Sequence, residues 1–103
     1  LAERLYGGLN EVFARHGVVA RVQGLGARFG IYFGVTTPVR NYRDAVRHHR
    51  EQMLGFVASA IRHGVYFHDY GGAACHHGFC AAMTLADVDE TLNRLDGAVR
   101  ELR

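Results

Sequence analysis

The densest group of side chains able to do chemistry lies between residues 68 and 80: His68, Asp69, Cys75, His76, His77 and Cys80. Thiolates and imidazoles could hold zinc tetrahedrally. The spacing argues against it. Cys75 and Cys80 are five positions apart, His76 and His77 would point to opposite sides of an extended chain, and no second pair stands at a zinc-finger interval. Cys80 sits in an apolar run and reads more simply as a small core residue. A thiol–imidazole nucleophile pair would join Cys75 to His68 or His76, but no signature surrounds Cys75. A histidine-rich loop that faces solvent or an absent partner is the plainer reading. Gly24-Leu25-Gly26 invites a phosphate-loop reading, yet it lacks the GxGxxG spacing and precedes a strand pattern, so it reads as a turn. His48 and His49 read as helix residues flanking a buried stripe.

The elements that must position this loop follow from periodicity. Leu5, Leu9, Val12 and Phe13 share one face of a helix over Leu1 to His16, closed by Gly17. Val18 to Gln23 alternates, with Val18, Ala20 and Val22 on one side and Val19, Arg21 and Gln23 on the other. Ala27 to Val35 alternates too, with Phe29, Ile31 and Phe33 on the apolar face. The glycine-rich turn between the two runs predicts a hairpin. Pro38 ends the strand. Asn41 and Asp44 then predict the start of a helix running to His63, with Val46, Met53, Val57, Ala60 and Ile61 as its buried stripe. Val65 to His68 reads as a short strand, and the apolar run Gly78 to Met83 as a central strand. Thr84 with Asp87 predicts the cap of a last helix carrying Val88, Leu92, Leu95, Val99 and Leu102. The expected order is α-β-β-α-β-β-α, without internal repeat or linker. The fold class is α+β: a small, mainly antiparallel sheet of three or four strands with helices on one face, in a single domain over residues 1–103.

Composition bounds the partners. Half the residues are apolar (49%) and the net charge is +2. Arg40, Arg43, Arg47 and Arg50 recur every three or four residues, the spacing of a solvated helix face, with no basic block for nucleic acid. No apolar run approaches the roughly 20 residues of a membrane span. Two cysteines make no disulfide framework and suggest a reducing cytoplasm. All 12 Lys+Arg residues are arginines, so the chain has no lysine. It opens on Leu1 with no methionine, and reads as a stretch of something longer.

Taken in order, HGVVARVQGLGARFGIYF, PVRNYRDA, a long helix ending in HGVYF, and GFCAAMTLADVDETLNRL resemble the C-terminal small domain of glutamate-1-semialdehyde 2,1-aminomutase-like class III aminotransferases. The resemblance covers nearly the whole chain. It implies a pyridoxal 5'-phosphate (PLP) enzyme whose large domain, absent here, holds the cofactor on a lysine, and whose parent is a cytoplasmic homodimer catalysing amino-group transfer or mutation. A lysine-free chain would be inactive alone. No catalytic, cofactor-binding or metal residue is implied within it, nor any nucleic-acid or membrane partner. Its partner would be its own large domain, over whose active site it would close. Where the family reads roughly GVYLPPSxFEAxFxS, this chain has GVYFHDYGGAACHHGFCAA, about three residues longer. His76 then stands where the loop's glutamate would, which puts the semialdehyde substrate in question. His76, Tyr70 and His77 are the residues expected to face substrate. The alternative is a free-standing α+β binding module with a histidine-rich ligand or metal loop.

Overall fold

Leu5, Leu9, Val12 and Phe13 form the buried stripe of α1 (Ala2–Arg15) in the computed structural model, which describes residues 1–67, 76–79 and 82–102, and at Tyr42 and His76 the backbone alone. The helix stops at Arg15-His16-Gly17-Val18. There the Gly17 N–H donates to the Ala14 carbonyl at 3.1 Å and the Val18 N–H to the Phe13 carbonyl at 2.9 Å. This pair of bonds is a Schellman closure, and it needs the φ of +70° that Gly17 supplies. The same string, Arg62-His63-Gly64-Val65, closes α3 (Arg50–Arg62) in the same way. Gly64 N–H donates to Ile61 at 3.0 Å, and Val65 N–H to Ala60 at 2.9 Å.

Past the first closure the chain pairs as a hairpin. β1 (Ala20–Leu25) runs antiparallel to β2 (Arg28–Phe33), in a register from Ala20↔Phe33 to Leu25↔Arg28 around the Gly26-Ala27 turn. β3 (His76–Gly78) adds antiparallel to the other side of β2, giving the order β1-β2-β3. Val22, Phe29, Ile31 and Phe33 are buried, as the alternation predicts. α1 lies against β1 and α3 against β2. The rings of Phe13, Phe33 and Phe56 meet one another at 5.3–5.5 Å between centroids and form the centre of the core.

α4 (Leu85–Arg100) packs across α1 and α3 and buries Val88, Leu95, Ala98 and Val99. The expected cap is present: the Thr84 hydroxyl accepts from the Asp87 N–H, and the Asp87 carboxylate accepts from the Thr84 N–H at 2.8 Å. Two of its carboxylates are gripped by the two helix closures. Asp96 receives His16 Nε2 and Arg15 at 2.8 Å each. Glu101, just past the helix, receives Arg62 at 3.1 Å and His63 at 3.0 Å. The buried Ser59 hydroxyl lies 3.0 Å from the same carboxylate and 2.8 Å from the Ala98 carbonyl. The bond from His16 holds the Asp96 carboxyl below its usual value, against the opposing push of burial and with help from Arg15. Hydrogen bonds from His63, Arg62 and Ser59 bring Glu101 down to about 2.

The helix expected from Asn41 to His63 is broken. Asn41 caps only the single turn α2 (Tyr42–Ala45), its Oδ1 accepting from the Asp44 N–H at 3.1 Å. The His49 N–H then leaves helical pairing and donates to the Phe33 carbonyl at 2.8 Å, with His49 extended at φ −82°, ψ 104°. Val46, in this link, is 54% exposed, and Ile61, at the margin of α3, is 52% exposed; Phe56 takes the core position beside Met53, Val57 and Ala60. Residues 65–67 form no strand, and the Val65 N–H is spent on the Schellman bond. The expected central strand over Gly78 to Met83 is also displaced. β3 ends at Gly78 and lies at the sheet's edge, Ala82 and Met83 are not strand, and β2 occupies the centre. The described order is therefore α-β-β-α-α-β-α. Among the described residues no helix is long and apolar enough to cross a membrane.

Candidate functional site: the open face of the sheet

The helices cover one face of the sheet, and strand alternation assigns the residues left on the other. Arg21 pairs with Tyr32, Gln23 with Gly30, and Leu25 with Arg28. These rows carry the opposite parity to the buried Val22, Phe29 and Ile31. Leu25 is 91% exposed. A side chain at Gly30 would meet the Tyr32 ring, whose hydroxyl and ring carbons would lie 2.6–2.9 Å from the added Cβ. Tyr32 therefore lies along the strand over Gly30, and a larger residue there would have to displace the tip of the Tyr32 ring.

Gln23 makes this face more than a bare sheet. Its Nε2 donates to the Val39 carbonyl at 2.6 Å and its Oε1 accepts the Val39 N–H at 2.8 Å. Arg21 Nε donates to the same Oε1 at 3.1 Å. The amide thus stands in for a strand partner and holds the Val39-Arg40-Asn41-Tyr42 joint on the open side. Alternation alone places Gln23 outward; its partner sixteen residues away has no sequence signal.

The residues expected to face substrate separate. Tyr70 lies outside the described residues, as do His68, Asp69, Cys75 and Cys80. His76 pairs through its backbone with Gly30, in the row of Gln23. His77 pairs with Phe29, and its ring packs at 4.8 Å from Phe67 and 5.6 Å from Phe29. His77 therefore borders the aromatic core. Among the described residues no group of three or more His, Cys, Asp or Glu could hold a metal ion.

The arginines differ in their partners. Five of them meet carboxylates: Arg4 with Asp89 at 2.7 Å, Arg94 with Glu90 at 2.9 Å, Arg100 with Asp96 at 3.5 Å, and the two closure pairs of Arg15 with Asp96 and Arg62 with Glu101. Arg21, Arg28, Arg40, Arg43, Arg47 and Arg50 make no ion pair among the described residues. The one carboxylate between residues 18 and 50, Asp44, is engaged by the Arg40 backbone N–H at 3.1 Å. The chain does not fit PLP held as a Schiff base, because it has no lysine amine to form one.

No family model matches the chain. It is 31% identical over 93 residues to glutamate-1-semialdehyde 2,1-aminomutase of Nitrosomonas europaea, covering 89% of this chain and 20% of the relative. It is 32% identical over 90 residues to the enzyme of the same name from Nitrosospira multiformis, covering 86% and 20%. The chain thus spans about a fifth of the length of the curated relatives it matches. An omega-transaminase from Sphaerobacter thermophilus superposes on 98% of the chain with a TM-score of 0.73 at 18% identity, using 22% of its own length; this likeness is one of fold. Over nearly all of its length the chain is homologous to a small domain of the class III aminotransferases, the group of glutamate-1-semialdehyde 2,1-aminomutase.

Proposed function

We propose that the chain is the C-terminal small domain of a PLP-dependent aminotransferase or aminomutase whose remaining sequence supplies the cofactor lysine. The observation that carries this reading is the match of 89% of a lysine-free chain to 20% of an aminomutase. Alone the domain catalyses no amino transfer, since the internal Schiff base and its proton transfers need an amine it lacks. In the parent, a cytoplasmic homodimer, it closes over the active site of its own large domain. His76 and Tyr70 border the mouth of that site and face the substrate, with His77 beside His76 in β3. Histidine in place of the family's loop glutamate exchanges an anionic acceptor for a group of variable charge, so the amino donor differs from the semialdehyde.

The test uses the polypeptide in which this stretch is continuous with a PLP-binding domain. His76→Ala should change kcat/KM by about tenfold or more across a panel of amino donors while PLP stays bound. Unchanged kinetics for every donor would remove His76 from the site, and a full-length polypeptide that transfers no amino group would overturn the reading.

A further inference from the structure

We propose that the cavity at the end of β2 remote from β3 is a binding site for a small zwitterion of the α-amino acid type with an apolar side chain. The cavity measures about 550 Å³ and lies between the closure of α1 and the start of α3, lined in part by His16, Val18, Phe33, His49, Glu51 and Leu102. Three groups at it lack a protein partner. The first is the start of α3. Because the chain leaves helical pairing at His49, the N–H groups of Arg50, Glu51 and Gln52 have neither a backbone acceptor nor a capping side chain among the described residues. The second is His16. Its side chain is only 9% exposed, and its Nε2 is held by Asp96 at 2.8 Å. The other ring nitrogen, Nδ1, has no partner among the described residues and yet is not sealed off, so it opens on the cavity that the ring lines. The third is the Glu51 carboxylate, which makes no ion pair or hydrogen bond among the described residues.

These groups have opposite senses, and that selects the ligand. The N–H groups stand at the positive end of the α3 dipole and call for an anion. Asp96 accepts from His16, so in the neutral ring Nε2 carries the proton and Nδ1 is a bare acceptor. Glu51 is an anionic acceptor beside it. A plain carboxylate would satisfy the N–H groups but meet repulsion from Glu51, and a plain amine would leave the N–H groups bare. An ammonium and a carboxylate on one carbon answer both. A metal ion does not fit, because among the described residues no group of three His, Cys, Asp or Glu could hold one. Val18, Phe33 and Leu102 give the cavity an apolar floor for an aliphatic side chain. The wall beside it is fixed by backbone: the His49 ring lies against Gly34, where φ is +76° and a Cβ would fall 3.0 Å from the ring.

The experiment titrates L-leucine into this chain labelled with ¹⁵N. Saturable shifts are expected at the Arg50, Glu51 and Gln52 amides and at the His16 ring. 4-Methylpentanoate, which lacks the ammonium, and isopentylamine, which lacks the carboxylate, should each bind about tenfold more weakly or worse. Glu51→Gln should weaken leucine by about the same factor and leave 4-methylpentanoate no weaker. Arg50→Pro removes one N–H at a first helical position that tolerates proline, after a residue already extended, and should weaken leucine severalfold without loss of the fold. In the longer polypeptide, leucine should slow hydrogen exchange across residues 50–53, and Glu51→Gln should abolish that protection. No saturable shift at these amides up to on the order of 10 mM leucine overturns the proposal. So do equal binding of 4-methylpentanoate, which would make this a plain carboxylate site, and unprotected residues 50–53 in the longer polypeptide.

Discussion

The side-chain amide of Asn10 holds both backbone groups of Val22: its Nδ2 donates to the carbonyl at 3.1 Å and its Oδ1 accepts the N–H at 2.9 Å. β1 is an edge strand, and Val22 is the position in its middle whose peptide groups face away from β2. A helix residue thus supplies what a fourth strand would. An unblocked edge is a template for pairing with another chain. Asn10→Ala leaves two part-buried backbone groups without this partner and should cost about 1–3 kcal/mol. Urea unfolding checks the cost, and sedimentation at rising concentration checks for new self-association. An unchanged unfolding midpoint would show that water replaces the amide at no cost.

Phe33 is fully buried between Phe13 and Phe56. Phe33→Ala removes the ring common to the sheet and both helices, and should destabilise the chain by about 3–5 kcal/mol. A loss below about 1 kcal/mol in chemical denaturation would contradict this placement.

Acid should loosen α4. Glu101 has its carboxyl lowered from 4.5 to about 2 by His63, Arg62 and Ser59, and Asp96 is lowered chiefly by His16. A depressed carboxyl contributes stability that is complete above its unfolded value and lost as pH falls through its folded one. For Glu101 that window runs from 4.5 down to about 2. Both groups are solvent-facing, so each share is modest. Thermal unfolding across this window should show a shallower acid limb for Glu101→Gln than for the wild type; parallel curves would rule the pairing out as a source of acid sensitivity.

Gln23 should govern the joint. Gln23→Glu keeps an acceptor for the Val39 N–H but loses the donor to the Val39 carbonyl, and Gln23→Ala loses both. Exchange of the Val39 amide should therefore be fastest in the alanine variant and intermediate in the glutamate variant. Identical exchange rates would mean that the joint is held by something else.

Much of the fold was legible because one face of each element carries an unbroken apolar period. Leu5, Leu9, Val12 and Phe13, the alternating Phe29, Ile31 and Phe33, and the Thr84–Asp87 box all appear in the structure as the sequence implies. What misled was tertiary. The break at His49 comes from a bond to Phe33, a partner remote in sequence, and periodicity carries no trace of it. The apolar run after Gly78 looked central because burial on both faces and edge position are indistinguishable in composition alone. The twin Arg-His-Gly-Val closures were readable as helix ends, but not as grips on Asp96 and Glu101. The candidate site was the least legible: Gln23, Arg21 and Tyr32 look like ordinary outward residues, and the clamp emerges only when Val39 is brought back over the sheet. Tyr70 lies outside the described residues, and His76 enters through its backbone register alone.

The most direct test of the central claim is borohydride reduction in the presence of PLP, with the label located by mass spectrometry. A chain without lysine should carry at most an α-amino label and show no amino-transfer turnover. The longer polypeptide containing it should be labelled stoichiometrically on one lysine outside residues 1–103. Stoichiometric labelling within this chain accompanied by turnover, or a longer polypeptide that takes up no PLP, would contradict the assignment as a small domain of a PLP enzyme.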